Sequence, residues 1–132
     1  MDVRREGRLE NSRGGVNRSE EWGKRAEWCD YSGPVGGSTV GVAVLENPSN
    51  VGHPTYWHSQ DYGLMAANPF GLSWFLGEGH NGDYTLPAGE SVVFSYRVYI
   101  HEGNAAEGSV AAMYEAYVRP PSSAGASYHD CQ

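Results

Sequence analysis

The chain has 132 residues with a formal net charge of −7, and 39% of its residues are apolar. That is the size of one domain with a small core, and it is too apolar for a disordered chain. The acidic balance excludes the basic face that counterion release from nucleic acid requires, so no nucleic-acid partner is expected.

Residues 1–21 are polar, with Arg4, Arg5, Arg8, Arg13 and Arg18 interleaved with Glu6, Glu10, Glu20 and Glu21. This reads as a solvated mixed-charge segment. Residues 8–11 predict a short edge strand in it, and 12–17 a loop. The segment has no apolar h-region, so no signal peptide is expected. Residues 21–31, EWGKRAEWCDY, alternate in part and carry aromatics. They predict a strand that places Trp22 and Trp28 on one face and ends at Ser32-Gly33-Pro34. Cys29 is expected as a small buried residue rather than half of a bridge to Cys131, and neither cysteine has CxxC metal spacing.

Gly36-Gly37-Ser38 predicts a hairpin turn. Residues 39–45, TVGVAVL, form a continuous β-branched run and predict the main core strand. Gly41 inside it marks a close approach or a bulge. Residues 46–52 are a turn-rich loop. Residues 53–71, HPTYWHSQDYGLMAANPFG, combine more aromatic and polar side chains than any other stretch. Short strands are expected at 55–58 and 62–67, on either side of a kink at Ser59-Gln60. Asn68, before Pro69, is expected at a strand end or turn.

Residues 72–76 predict another short strand and 77–83 a loop. Residues 91–101, SVVFSYRVYIH, predict the longest strand. Val92, Phe94, Tyr96, Val98 and Ile100 would face the core, and Arg97, Tyr99 and His101 a surface or groove. Val110, Met113, Tyr114 and Tyr117 recur at helical spacing and predict one short C-terminal helix, stopped by Pro120-Pro121. Residues 119–132 read as a flexible tail. No run approaches the roughly 20 apolar residues of a membrane helix, so a soluble chain with no membrane partner is expected, its compartment unassigned. The fold class is all-β, an antiparallel sandwich over residues 21–118.

Asn11-Ser12, Trp22-Gly23-Lys24-Arg25, Trp28-Cys29-Asp30-Tyr31-Ser32-Gly33, Val40-Gly41-Val42-Ala43 and the run HPTYWHSQDYGLMAANPFG carry a resemblance. The chain resembles the C-terminal half of the PmoA family, a bacterial domain of unknown function often labelled a methane oxygenase. The resemblance implies a chain about twice as long, whose other half bears a histidine-rich HPHHxGL-type motif. Residues 21–118 would then be part of a larger β-sandwich, as a fragment or a short version. The Leu86-Pro87-Ala88-Gly89-Glu90 turn and the strand after it are also similar to the galactose-mutarotase-like supersandwich, a fold-level analogy. A membrane oxygenase would need spanning helices, which this sequence lacks. Where the family pattern implies an arginine, this chain has Gln60.

Three function classes compete. Carbohydrate binding or modification would use the flat faces of Trp28, Trp57, Tyr62 and Trp74, with Arg25, His53, Asn68 and Arg97 as polar partners. Acid–base chemistry on a sugar would pair His58 or His101 with Asp61, Asp30 or Glu102. A non-catalytic interaction module, with exposed strand edges that favour self-association, is the rival class. The third class is a metal-dependent enzyme using His53, His58 and His80 or His101; local hydrogen bonding of those histidines is favoured over it, and no metal or cofactor is expected.

Overall fold

A computed structural model of the chain describes residues 6–119. Its elements are β1 (Arg8–Asn11), α1 (Asn17–Glu21), β2 (Lys24–Arg25), β3 (Trp28–Val35), β4 (Ser38–Glu46), β5 (Tyr56–Gln60), β6 (Leu64–Ala67), α2 (Leu72–Leu76), β7 (Tyr96–Glu102) and α3 (Val110–Val118). Two antiparallel sheets result, one of four strands in the order β1-β3-β4-β7 and one of three in the order β2-β5-β6. The all-β sandwich is therefore as expected, with three short helices instead of one. No described helix is long and apolar enough to cross a membrane.

The β-branched run of β4 lies inside the four-stranded sheet, between β3 and β7. Gly36 and Gly37 turn the β3–β4 hairpin with φ of 58° and 87°, a left-handed conformation that side-chain-bearing residues resist. Ser32, Gly33 and Pro34 lie inside β3 and pair with β4, so the expected turn begins later.

Successive side chains of β3 enter different cores. Trp28 packs with Ala43, Leu45, Val110 and Tyr114 beneath α3. Cys29 and Tyr31 pack with Leu9, Ala26 and Trp57 between the sheets. Both faces of this strand are buried, which is why neither face of residues 21–31 reads as cleanly apolar. The predicted single strand is broken at Ala26-Glu27. There the Ala26 N–H donates to Thr55 of the small-sheet side, and the Glu27 carbonyl accepts from Glu46 at the end of β4. Trp22 and Trp28 accordingly do not share a strand face.

Residues 55–67 form a hairpin, with β5 and β6 paired from Trp57↔Ala67 to Gln60↔Leu64. The chain reverses at 61–63 rather than kinking at Ser59-Gln60. Residues 72–76 form a helix, not a strand: Leu72, Phe75 and Leu76 follow helical spacing, and Phe75 stacks on Tyr56 and packs edge-on against Trp22.

The largest departure is β7. It begins at Tyr96, and its faces are the reverse of the expected ones. Tyr99 and His101 turn toward α3, while Val98 and Ile100 stay 60% and 74% exposed. The register gives the reason. Val98 pairs with Val44, which packs against the core between the sheets, so the apolar face of β7 does point to the small-sheet side. The three-stranded sheet ends before covering it.

Candidate functional site

Residues 53–71 start from a buried carboxylate. Glu46, fully buried at the end of β4, lies 2.7 Å from His53 Nδ1 and accepts the Thr55 N–H at 2.8 Å. Arg25 Nε donates to the Pro54 carbonyl at 2.8 Å, beside the cis His53-Pro54 bond. The Asn50 amide bonds both backbone groups of Ser95, at 2.9 and 2.8 Å. His53 and Arg25, two expected ligand residues, thus fasten the loop that delivers the chain into β5.

Along β5 the side chains alternate. Trp57 and Ser59 are fully buried, and the Trp57 indole N–H donates to the Ala26 carbonyl at 2.9 Å. Trp57 therefore packs the core and presents no face to a sugar. Tyr56, His58 and Gln60 point outward. There His58 lies 6.2 Å from both the Trp22 and Phe75 rings, and Arg18 and Arg25 sit over Trp22 and Tyr56. Gln60 Oε1 accepts from Arg18 Nε at 2.7 Å, and Asp61 Oδ1 accepts the Arg18 N–H at 3.2 Å. Gln60 is thus already engaged with a guanidinium of this chain. Tyr62 is exposed at the hairpin tip.

At the far end of β6, a cavity of about 270 Å³ lies among Ala67, Asn68, Pro69, Phe70, Phe94 and Tyr96. Asn68 Oδ1 accepts the Phe70 N–H at 3.0 Å, folding the residues after β6 into a tight turn. Phe70 packs edge-on to Phe94, ring centres 5.9 Å apart, and near Tyr84 at 6.0 Å.

On the other face of the large sheet, His101 reaches from β7 across β4 to β3. Its Nε2 is 2.5 Å from Asp30 Oδ1, and its Nδ1–H donates to the Glu102 carbonyl at 3.0 Å. The ring fits because position 41 is glycine: a Cβ there would collide with it, as would one at Gly108. This is the close approach that Gly41 signals in the sequence. With an acceptor at each ring nitrogen, the geometry suits an imidazolium against a carboxylate. Burial opposes that charge, but the Asp30 hydrogen bond, the Glu102 carbonyl and the charges of Asp30 and Glu10 hold the His101 pKa above its ordinary value. Burial also pushes the Asp30 carboxyl up, against the pull of His101. Asp30 Oδ2 is buried with no partner.

A third buried group joins the expected buried Cys29 to Glu21, a carboxylate not expected inside. The Cys29 thiol donates to Glu21 Oε1 at 2.9 Å, with Ser59 Oγ 3.6 Å from the sulfur. Burial raises the Cys29 thiol well above its usual range and lifts the Glu21 carboxyl to about 8. The charged residue before Trp22 reads as surface in the sequence; only the short helix α1 turns it inward.

The expected catalytic set is not brought together. His58 and Asp61 lie on the outer side of the small sheet, and His101 lies beneath α3 on the opposite side of the sandwich. Trp28 is buried under α3, and Arg97 sits 4.6 Å over the Tyr117 ring. Among the described residues no three His, Cys, Asp or Glu side chains converge as metal ligands, and His53 and His58 point into separate settings.

Residues 1–115 match the sequence profile of a family of unknown function, DUF6807. The chain belongs to that family. The match to DUF6807 covers the aromatic segment, both sheets and most of α3, and carries with it neither a methane-oxygenase activity nor a mutarotase relation. No curated protein and no solved structure matches this DUF6807 chain.

Proposed function

We propose that the chain is a non-catalytic interaction module, a β-sandwich with one open side that docks onto another protein surface as part of a larger β assembly. The observation that carries this reading is the uncovered face of β7. Tyr96, Val98 and Ile100 are 37%, 60% and 74% exposed on the side where a sandwich normally places its core. Phe70 and Tyr84, both exposed and linked to Tyr96 through the Phe70–Phe94 contact, extend the exposed apolar surface beside them. Contiguous apolar surface on a folded domain marks an interaction site. The histidine–carboxylate pair supports the same reading, because both His101 ring nitrogens are already engaged, by Asp30 and the Glu102 carbonyl, and the ring is packed against Gly41 and Gly108.

An apolar fluorescent dye tests the proposal. On the chain diluted until light scattering reads a single-chain mass, the dye should brighten. Replacing Val98 and Ile100 together by lysine should abolish the signal. A dark dye on the wild-type single chain removes the reading.

A second reading, carbohydrate binding, keeps one specific observation: the Asn68–Phe70–Phe94–Tyr96 cavity combines aromatic walls with a side-chain amide. Such a cavity suits a sugar ring, which stacks its C–H face and bonds its hydroxyls. In this reading a sugar panel should shift the Asn68 side-chain amide in a nuclear magnetic resonance spectrum. If no sugar moves it, the cavity is only part of the docking face.

A further inference from the structure

We infer that the occupant of the open edge is a second copy of this chain, joined through β7 in antiparallel pairing about a two-fold axis at Tyr99. The inference rests on the docking reading and adds the partner and the register.

The backbone gives the direction. The Gly103 N–H donates to Thr39, the Asn47 N–H donates to the Ser95 carbonyl, and β7 pairs with β4 in unbroken antiparallel register between these points. In such a ladder the residues that bond the neighbour alternate with those that do not. The odd-numbered residues of β7 therefore bond β4, and the N–H and C=O groups of Tyr96, Val98, Ile100 and Glu102 point away from it. Among the described residues β7 has a strand neighbour on one side only. The residues whose main-chain groups point outward are the same ones whose side chains form the exposed apolar face.

In one register the outward-bonding residues of β7, Tyr96, Val98, Ile100 and Glu102, are self-complementary. An antiparallel copy centred on Tyr99 sets Val98 opposite Ile100 of the second copy, Ile100 opposite its Val98, and Tyr96 opposite its Glu102. The central pairs bury branched apolar side chains against one another, the combination that stabilises neighbouring strands. The outer pairs place a phenol O–H donor beside a carboxylate. Every outward residue of the strand meets an outward residue of its mate, so the ladder continues across the axis and the pairing is isologous and closed. Centring the axis on Val98 or Ile100 leaves one end of the strand unpaired. Edge strands that must stay free carry lysine, proline or inward charge; the exposed centre of β7 has none of these.

The test is sedimentation of the full chain at micromolar concentration, with three preparations besides wild type. Wild type should sediment at twice the chain mass. Val98→Lys alone and Ile100→Glu alone should each sediment as single chains, because each puts like charges across the axis in its own dimer. Both side chains are more than half exposed in the single chain, so the melting curves of the two variants should match each other and show cooperative unfolding. An equimolar mixture of the two variants should regain the dimer mass, since the register sets the new lysine opposite the new glutamate. A wild-type single chain overturns the inference, as does a dimer that survives either substitution. Monomeric variants whose mixture fails to pair overturn the register. A single chain that still brightens the dye overturns the second copy and leaves the docking reading standing; a single chain that leaves the dye dark removes both.

Discussion

Glu21 shows how one buried carboxyl can set the pH response of the fold. It is wholly buried, Oε1 accepts the Cys29 thiol and Oε2 has no partner. Burial is the main cause of its rise from 4.5 to about 8; the Cys29 hydrogen bond opposes it, and the charges of Glu10, Asp30 and Glu20 add to it. Between those values the folded chain holds a proton that the unfolded chain has released. Its contribution is therefore complete below the unfolded value and is lost as pH climbs toward about 8. Each pH step of one across that window is worth about 1.4 kcal/mol, so several kcal/mol are involved. The raised Asp30 and His101 tilt stability the same way. Glu27 tilts it the other way: the Arg13 hydrogen bond, helped by Ser12 against the effect of burial, draws it down to about 2, so its contribution fades as pH falls below the ordinary carboxylate range. The melting temperature should peak at mildly acidic pH and fall toward pH about 8. Glu21→Gln should remove most of that fall. A variant with the wild-type slope in thermal denaturation would contradict the assignment.

At the scale of elements, local chemistry was legible and long-range company was not. The glycines at 36 and 37, the β-branched run of β4 and the helical spacing of Val110, Met113, Tyr114 and Tyr117 each encode their structure within a few residues, and each forms as expected. Gly41 announced a close approach without naming His101, which lies 60 residues further along the chain by numbering. Residues 72–76 are short enough to fit either strand or helix, and the packing of Phe75 on Trp22 decides for helix. The alternation in residues 91–101 assigned Val98 and Ile100 to the core, yet both stay exposed, because alternation cannot say whether a second sheet extends far enough to cover a face. The same limit explains the dispersed site residues. The sequence placed His58 and Asp61 in one kinked stretch, whereas the distance from them to His101 depends on which sheet each strand joins. Trp57 looked like a binding surface by composition; its burial follows from alternation on β5, where the hairpin partner and α1 fix which face is inside.

At the scale of the whole molecule, burial is uneven in a way that exchange can read. The β3 and β4 strands have neighbours on both edges, and their alternate side chains reach the two hydrophobic cores. Opening them requires disrupting both cores, so their amides should report the global stability. β7 is bonded on one edge and covered on one face. In the chain diluted to single-chain mass, the Tyr99 and His101 amides, directed at β4, should exchange slowly, and the Val98 and Ile100 amides, directed away from it, should exchange fast. Raising the concentration should slow Val98 and Ile100 and leave β3 and β4 unchanged, because covering an edge protects its outward amides without altering the cores beneath. The alternation within one strand separates edge docking from general stabilisation, which would slow all four β7 amides together. Slow Val98 and Ile100 amides at high dilution would place a cover over the edge within the single chain, and the open side would then not be a docking surface at all.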